Sequence, residues 1–272
     1  MKTKNIYIAL MGIFLLAGLI FGGIFIHQYN DGQASADAFN ELEQLVVEET
    51  EPADASKDST GDVGEIATEE ELTEEDQEMA EAIAAHEKYQ ALFEQNDDFI
   101  GWISIADTKV NYPVMQSVDR PDFYLNHAFD KSYSSYGVPY ADEACVTGLS
   151  DNIVVYGHNM KNGSMFSDLV KYATKEFWET HPVIRFDTMS QLSEYEVVAA
   201  FRFDTNNETF RFNEYTDMNE AEFSEFWENC QQRQLYDTGI EIAHGDELLT
   251  LSTCEYTYKN GRFIVVARKI GE

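Results

Sequence analysis

Near the carboxyl end, two runs carry residues that could together perform thiolate chemistry: LLTLSTC, closing on Cys254, and RFIVVARKI, opening on Arg262. Alternation along a strand sends Thr250, Ser252 and Cys254 to one face and Leu249, Leu251 and Thr253 to the other. The link EYTYKNG carries Asn260-Gly261, a strong turn signal, so the two runs are predicted to pair antiparallel. The first strand then ends at Cys254, and Arg262 starts the second beside it. Arg268 has the parity of Arg262, yet at about 3.3 Å per residue it lies roughly 20 Å further along. A guanidinium beside a thiol lowers the cost of the thiolate and can hold a developing oxyanion or a substrate carbonyl. A free cysteine titrates near about 8.5, so a proton-transfer partner is needed as well, and histidine is the natural one.

The chain has six histidines. His27 borders a long apolar run, His86 falls in a helical pattern, and His127, His181 and His244 occupy turn-like settings. His158 follows the apolar run NIVVY and a glycine, which places a polar ring just past the end of a buried strand. On this pattern a structural role for His158 stays as open as a catalytic one. Cys254 alone would equally suit an inert core thiol. Three cysteines are no disulfide framework, and Cys145 and Cys230 read as small buried hydrophobes. No His or Cys pair stands at ligand spacing, so neither a metal nor a cofactor is expected.

These groups need a scaffold and a location. The 272 residues are 44% hydrophobic and 13% aromatic, enough for one globular domain with a real core plus appendages. The net charge of −32 excludes a nucleic-acid binder, which needs basic clusters against phosphate. From Ile6 to Ile26 there are 21 residues without a charge, preceded by Lys2 and Lys4. Such a run can span roughly 30 Å of hydrocarbon, longer than a signal-peptide core, although Ala34-Ser35-Ala36 resembles a cleavage site. The predicted layout is a short cytoplasmic tail over 1–5 and a single-pass membrane anchor over 6–27. An acidic disordered tether over 28–72 and an extracytoplasmic domain over 73–272 complete it. Between Glu41 and Glu81, seventeen acidic residues face one lysine, which favours an extended, solvated segment over a specific acidic site.

A helical pattern spans Glu74 to Phe93, as one or two helices starting at Thr73. Beyond Asp98, seven short β-rich runs separated by turn residues indicate a barrel or sandwich rather than alternating βα units: FIGWISI, TKVNYPVMQ, NIVVYGH, VIRFDT, EYEVVAAFRF, ELLTLSTC and RFIVVARKI. Helical stretches interrupt them from Met165 to Trp178 and from about Asn219 to Arg233. In the second, Phe223, Phe226, Trp227 and Cys230 share a face that is expected to pack on the barrel wall.

At TLSTC (Thr250 to Cys254), Gly261-Arg262 and Tyr156-Gly157-His158, the sequence resembles the sortases. WISI, YPVMQ, YLNHAF, NMKNGSMFSDLVKY and the final GRFIVVARK resemble class B members, and the similarity runs roughly from Ala85 to Lys269. One stretch departs from the family pattern: GVPYADEAC (Gly137 to Cys145) stands where a Gly-Ser-Ile-Phe-like run is expected. The resemblance implies a mainly β fold, an eight-stranded sortase-type barrel with N-terminal helices and a helical insertion between the two strands before the catalytic Cys strand. It implies a cysteine transpeptidase. Cys254 would attack the Thr carbonyl of a sorting motif near the carboxyl end of a secreted protein, and His158 would protonate the leaving amine. Arg262 would steady the oxyanion or the motif backbone, and an amine of a peptidoglycan precursor would resolve the thioacyl enzyme. Ser252 and Tyr256 are candidates for the wall of the motif groove. Pilin polymerisation is an alternative with the same triad, and a non-enzymatic membrane-tethered binding module is another. A papain-like hydrolase fits less well, because there the cysteine precedes the histidine along the chain.

Overall fold

Short runs rich in Val, Ile, Phe and Tyr, each closed by turn residues, pair into ladders because that pairing buries their apolar faces and satisfies their backbone groups together. The computed structural model of the chain describes residues 2–50, 74–206 and 209–271, with side chains in the first helix described for 20–27 and 29–46. Eight strands form a closed barrel: β1 (Phe99–Ser104), β2 (Asn111–Met115), β3 (Tyr140–Ala141), β4 (Asn152–Gly157), β5 (Val183–Thr188), β6 (Glu194–Asp204), β7 (Leu248–Glu255) and β8 (Gly261–Lys269). Their order around the barrel is β1-β2-β3-β4-β7-β8-β6-β5. The pairs β2–β3 and β4–β7 are parallel, and the rest are antiparallel. Ile103, Val114, Val154, Phe186, Phe201 and Ile264 are completely buried in the core.

All seven β-rich runs form strands. The eighth strand, β3, lies inside the GVPYADEAC stretch and is held by pairing of Tyr140 with both Met115 and Tyr156. The segment that departs from the family pattern therefore still closes the barrel. The helix expected from residue 73 is α2 (Glu74–Gln95). It sits on the barrel through buried Tyr89 and Leu92, and the Lys88 ammonium and Tyr89 hydroxyl both donate to one oxygen of buried Asp187 on β5, each at 2.7 Å.

Two expectations are corrected. The tether does not begin at residue 28, because α1 (Lys2–Thr50) carries helix through that point. Phe39, Leu42, Leu45 and Val46 fall on one helical face and pack on the core, with the Phe39 ring edge-on to Tyr112 at 5.0 Å. That burial offsets the ordering entropy which the acidic composition alone would leave uncompensated. The rest of the tether, 51–72, lies outside the described residues. The second correction concerns the stretch from Met165 to Trp178, which is two elements: a 3-10 helix (Phe166–Ala173), then α3 (Lys175–Thr180). Thr174 interrupts them with an extended backbone, and its hydroxyl accepts from the Phe177 amide to start the new helix.

The insertion ahead of β7 is α4 (Glu220–Arg233). Asn219 caps it, accepting from Ala221 and Glu222 while the Glu222 carboxylate accepts from the Asn219 amide. Phe223, Phe226 and Cys230 are buried and Trp227 is partly so, as the spacing predicts. The 6–27 anchor falls largely on residues whose side chains lie outside those described. Among the described residues no helix is long and apolar enough to cross a membrane.

Candidate active site

The β7–β8 hairpin brings Cys254 and Arg262 together: the two residues are direct partners across the antiparallel pair. Directly opposed residues of such a pair have Cα atoms about 4.5–5.5 Å apart, so both side chains reach a common space. β7 runs one residue beyond the predicted end, to Glu255. The tight return depends on the Asn260-Gly261 step. Asn260 takes a positive φ of 64°, and a Cβ on Gly261 would lie 2.6 Å from the Glu255 carbonyl oxygen. Arg262 is also paired with Phe203 on β6, and its Nη1 donates to the Gly261 carbonyl at 3.1 Å. Arg268 pairs with Leu248 at the far end of the ladder and is engaged by Glu196.

His158 arrives by a different route. β4 pairs parallel with β7, and the last register pair is Gly157 with Thr253. The Thr253 hydroxyl donates to the Gly157 carbonyl at 2.7 Å. The residues that follow this pair are His158 and Cys254, so the ladder delivers both to the same rim. His158 Nε2 is 2.8 Å from the Leu125 carbonyl oxygen. A carbonyl only accepts, so Nε2 carries a hydrogen, and in the neutral ring Nδ1 is left as the proton acceptor. The glycine before His158 has a steric reason. A Cβ there would stand 2.6 Å from the ring of Phe166, which is completely buried. Gly157→Ala is therefore expected to destabilise the fold by about 1–3 kcal/mol through overpacking. It should also reduce activity beyond the stability loss, since the ring or the His158 backbone must move. Denaturant unfolding together with activity at a temperature where the variant is folded checks both; wild-type values for the two would disprove the clash.

Three other histidines of the barrel each contact a backbone carbonyl. His127 Nδ1 contacts the Phe123 carbonyl at 2.6 Å, His181 Nδ1 the Phe177 carbonyl at 3.0 Å, and His244 Nε2 the Met218 carbonyl at 3.0 Å. Cys145 and Cys230 are buried, whereas Cys254 is partly exposed. Burial pushes the Cys145 thiol up to about 12 and raises that of Cys230 as well, so neither forms a thiolate near neutral pH.

Ser252 lies on β7 two residues before Cys254, in register with Tyr156 and Ile264. It is 2% exposed, and its hydroxyl has no hydrogen-bond partner among the described residues. Tyr256 is exposed just past β7, and its hydroxyl donates to the Asn159 carbonyl at 3.1 Å. Three contributors escape residue-pattern reasoning. One is the Leu125 carbonyl, since a backbone acceptor leaves no trace in residue type. The second is Asn159, whose side-chain amide donates to the Cys254 carbonyl at 2.8 Å. The third is Tyr140, which donates to Asp122 at 2.6 Å; burial and that carboxylate raise its phenol, while the Arg262 charge acts in the opposite sense. No group of His, Cys, Asp and Glu among the described residues could hold a metal ion.

The profile of the sortase domain family matches residues 103–270, which span the barrel and this site. The chain is 34% identical over 182 residues to sortase B of Listeria monocytogenes, covering 64% of this chain and 71% of that protein. Among solved structures it is similar to a Staphylococcus aureus sortase B–substrate complex, with a TM-score of 0.61 and 28% identity over 71% of this chain and 92% of that one. It is likewise similar to Clostridium perfringens sortase B, with a TM-score of 0.62 and 28% identity over 67% of this chain and 99% of that one. The chain belongs to the sortase family. Its relatives place it with the sortase B enzymes, cysteine transpeptidases that process surface proteins of Gram-positive bacteria.

Proposed function

We propose that Cys254 is the nucleophile, His158 the proton carrier and Arg262 the oxyanion stabiliser of this transpeptidase. The observation that carries the assignment is the convergence of Cys254, Arg262 and His158 on one barrel rim through the β7–β8 and β4–β7 registers. Nδ1 of His158 takes the proton of the Cys254 thiol, the thiolate attacks the carbonyl carbon of the scissile bond in the sorting motif, and the resulting oxyanion lies against the Arg262 guanidinium. Collapse breaks the C–N bond, and the departing amine takes a proton from Nδ1 of His158. An incoming amine of the wall precursor then attacks the thioester, gives a proton back to His158 and releases the Cys254 thiolate. Each acyl transfer is thus divided into two steps that use the same three groups in reverse order. Ser252 and Tyr256 form part of the motif groove in this reading. Tyr256 offers it an exposed ring, while Ser252, its hydroxyl buried and without a partner among the described residues, lies beneath it.

Residues 6–27 form a single-pass anchor in this reading, with the first five residues cytoplasmic and the barrel outside. The support is the uncharged run from Ile6 to Ile26 with Lys2 and Lys4 ahead of it. Anchoring holds the enzyme on the surface that also carries its secreted substrate and its acceptor, which raises their effective concentration. The test uses the full-length protein in detergent, with fluorogenic peptides that carry candidate sorting motifs, each with and without an added amine. Cleavage of one motif with the amine incorporated into the product supports the reading. Cleavage that yields only free acid at every amine concentration would leave a hydrolase and sink the transferase assignment.

A further inference from the structure

Beyond Gly157 and Thr253 the β4–β7 ladder has no further backbone register pair, yet the reacting side chains lie on the next residue of each strand. Something past the ladder must keep the imidazole and the thiol at a fixed separation. Among the described residues two hydrogen bonds cross this gap, and both belong to Asn159. Its side-chain amide donates to the Cys254 carbonyl at 2.8 Å, and its own carbonyl accepts from the Tyr256 hydroxyl at 3.1 Å. On the other side, the segment after His158 is tied down by the Asn159–Met165 bridge and by the Phe166 amide donating to the His158 carbonyl at 2.8 Å. The imidazole itself is held from below by the Leu125 carbonyl. Asn159 is thus the contact that joins the His158 segment directly to the backbone of the nucleophile.

We infer that Asn159 is a positioning residue for the transpeptidation: its amide adds one side-chain rung to the β4–β7 pairing and sets the His158–Cys254 geometry. The inference rests on the assignment of Cys254 and His158 above. Side-chain amide and backbone carbonyl are neutral, so the rung contributes geometry without adding charge beside the thiolate. An aspartate in its place would be an acceptor facing an acceptor, and the rung would be lost although the shape is kept. Misplacement of a proton carrier by around 1 Å can cost up to about 10²-fold, so losing one of several restraints is expected to cost about tenfold.

The test compares full-length wild type, Asn159→Ala, Asn159→Asp, Cys254→Ala and Asn162→Ala on one cleavable motif peptide. Asn162 lies in the same segment and bonds Tyr136 and Ser164, not the β7 backbone. It controls for general loosening of the loop. Asn159→Ala is expected to lower kcat about tenfold with KM changed less than twofold, and Asn159→Asp to lose at least as much. The pH profile of Cys254 alkylation should also move in Asn159→Ala, because the thiol no longer faces the imidazole at its native distance. Thermal unfolding confirms that each variant is folded. Wild-type kcat and alkylation profile in folded Asn159→Ala would overturn the inference. So would a loss in Asn162→Ala equal to that in Asn159→Ala. Retained transfer in Cys254→Ala would overturn the assignment of the nucleophile, and this inference with it.

Discussion

Replacing Cys254 with alanine is expected to reduce peptide transfer by about 10⁴-fold or more, while Cys145→Ala and Cys230→Ala keep catalysis in folded protein. The difference follows from where the three thiols sit. Cys145 is buried between β3 and β4, accepts from the Val154 amide at 3.3 Å and points its thiol at the Asn152 carbonyl at 3.6 Å. Burial pushes it up to about 12, so at neutral pH the thiolate fraction is negligible. Cys230 is completely buried under α4, where desolvation again disfavours the anion. Cys254 is partly exposed, pairs across the hairpin with a cation and follows a ladder that brings a histidine alongside. The same logic predicts labelling. A small thiol reagent at neutral pH should modify one cysteine in the folded chain, identified as Cys254 by peptide mass mapping, and all three only after unfolding. Transfer activity that survives in Cys254→Ala, or labelling of Cys145 ahead of Cys254, would contradict this.

Much of this arrangement is legible in the sequence, and the gaps have physical causes. The Cys254–Arg262 pairing follows from strand parity and one turn signal, because a hairpin is a local structure whose register is set by its own loop. Seven strands declare themselves by β-branched and aromatic runs. β3 does not, since two residues carry no periodicity and its existence depends on neighbours from β2 and β4. His158 is the harder case. It is brought to the rim that carries Cys254 by parallel pairing of strands separated by about 90 residues, a pairing for which no local pattern exists, so only resemblance to the sortases singles it out beforehand. Composition misleads at α1, where the acidic run suggests an extended tether. Phe39 and Leu42 are only two residues, but they land on Tyr112 and the core, and tertiary burial overrides the average of the segment.

Arg262→Ala is expected to lower kcat/KM by about 10²–10³-fold, and Arg262→Lys to recover only part of that loss. The guanidinium sits on β8 between Cys254 of β7 and Phe203 of β6, so its position is set by two ladders at once. One of its N–H groups is occupied by the Gly261 carbonyl, which orients the group; in the proposed mechanism the others face the substrate. Lysine would keep the charge but not the fork: its single ammonium cannot hold the Gly261 carbonyl and an oxyanion in the same geometry. The split between kinetic constants identifies what the group does. If Arg262 acts mainly on the tetrahedral oxyanion, kcat falls and KM stays nearly constant; if it mainly grips the motif backbone, KM rises with kcat preserved. The position of Arg262 opposite Cys254, the proposed nucleophile, rather than further along β8, favours the first pattern. Steady-state kinetics on one motif peptide separates the two, and a folded Arg262→Ala with wild-type kcat/KM would remove Arg262 from the site altogether.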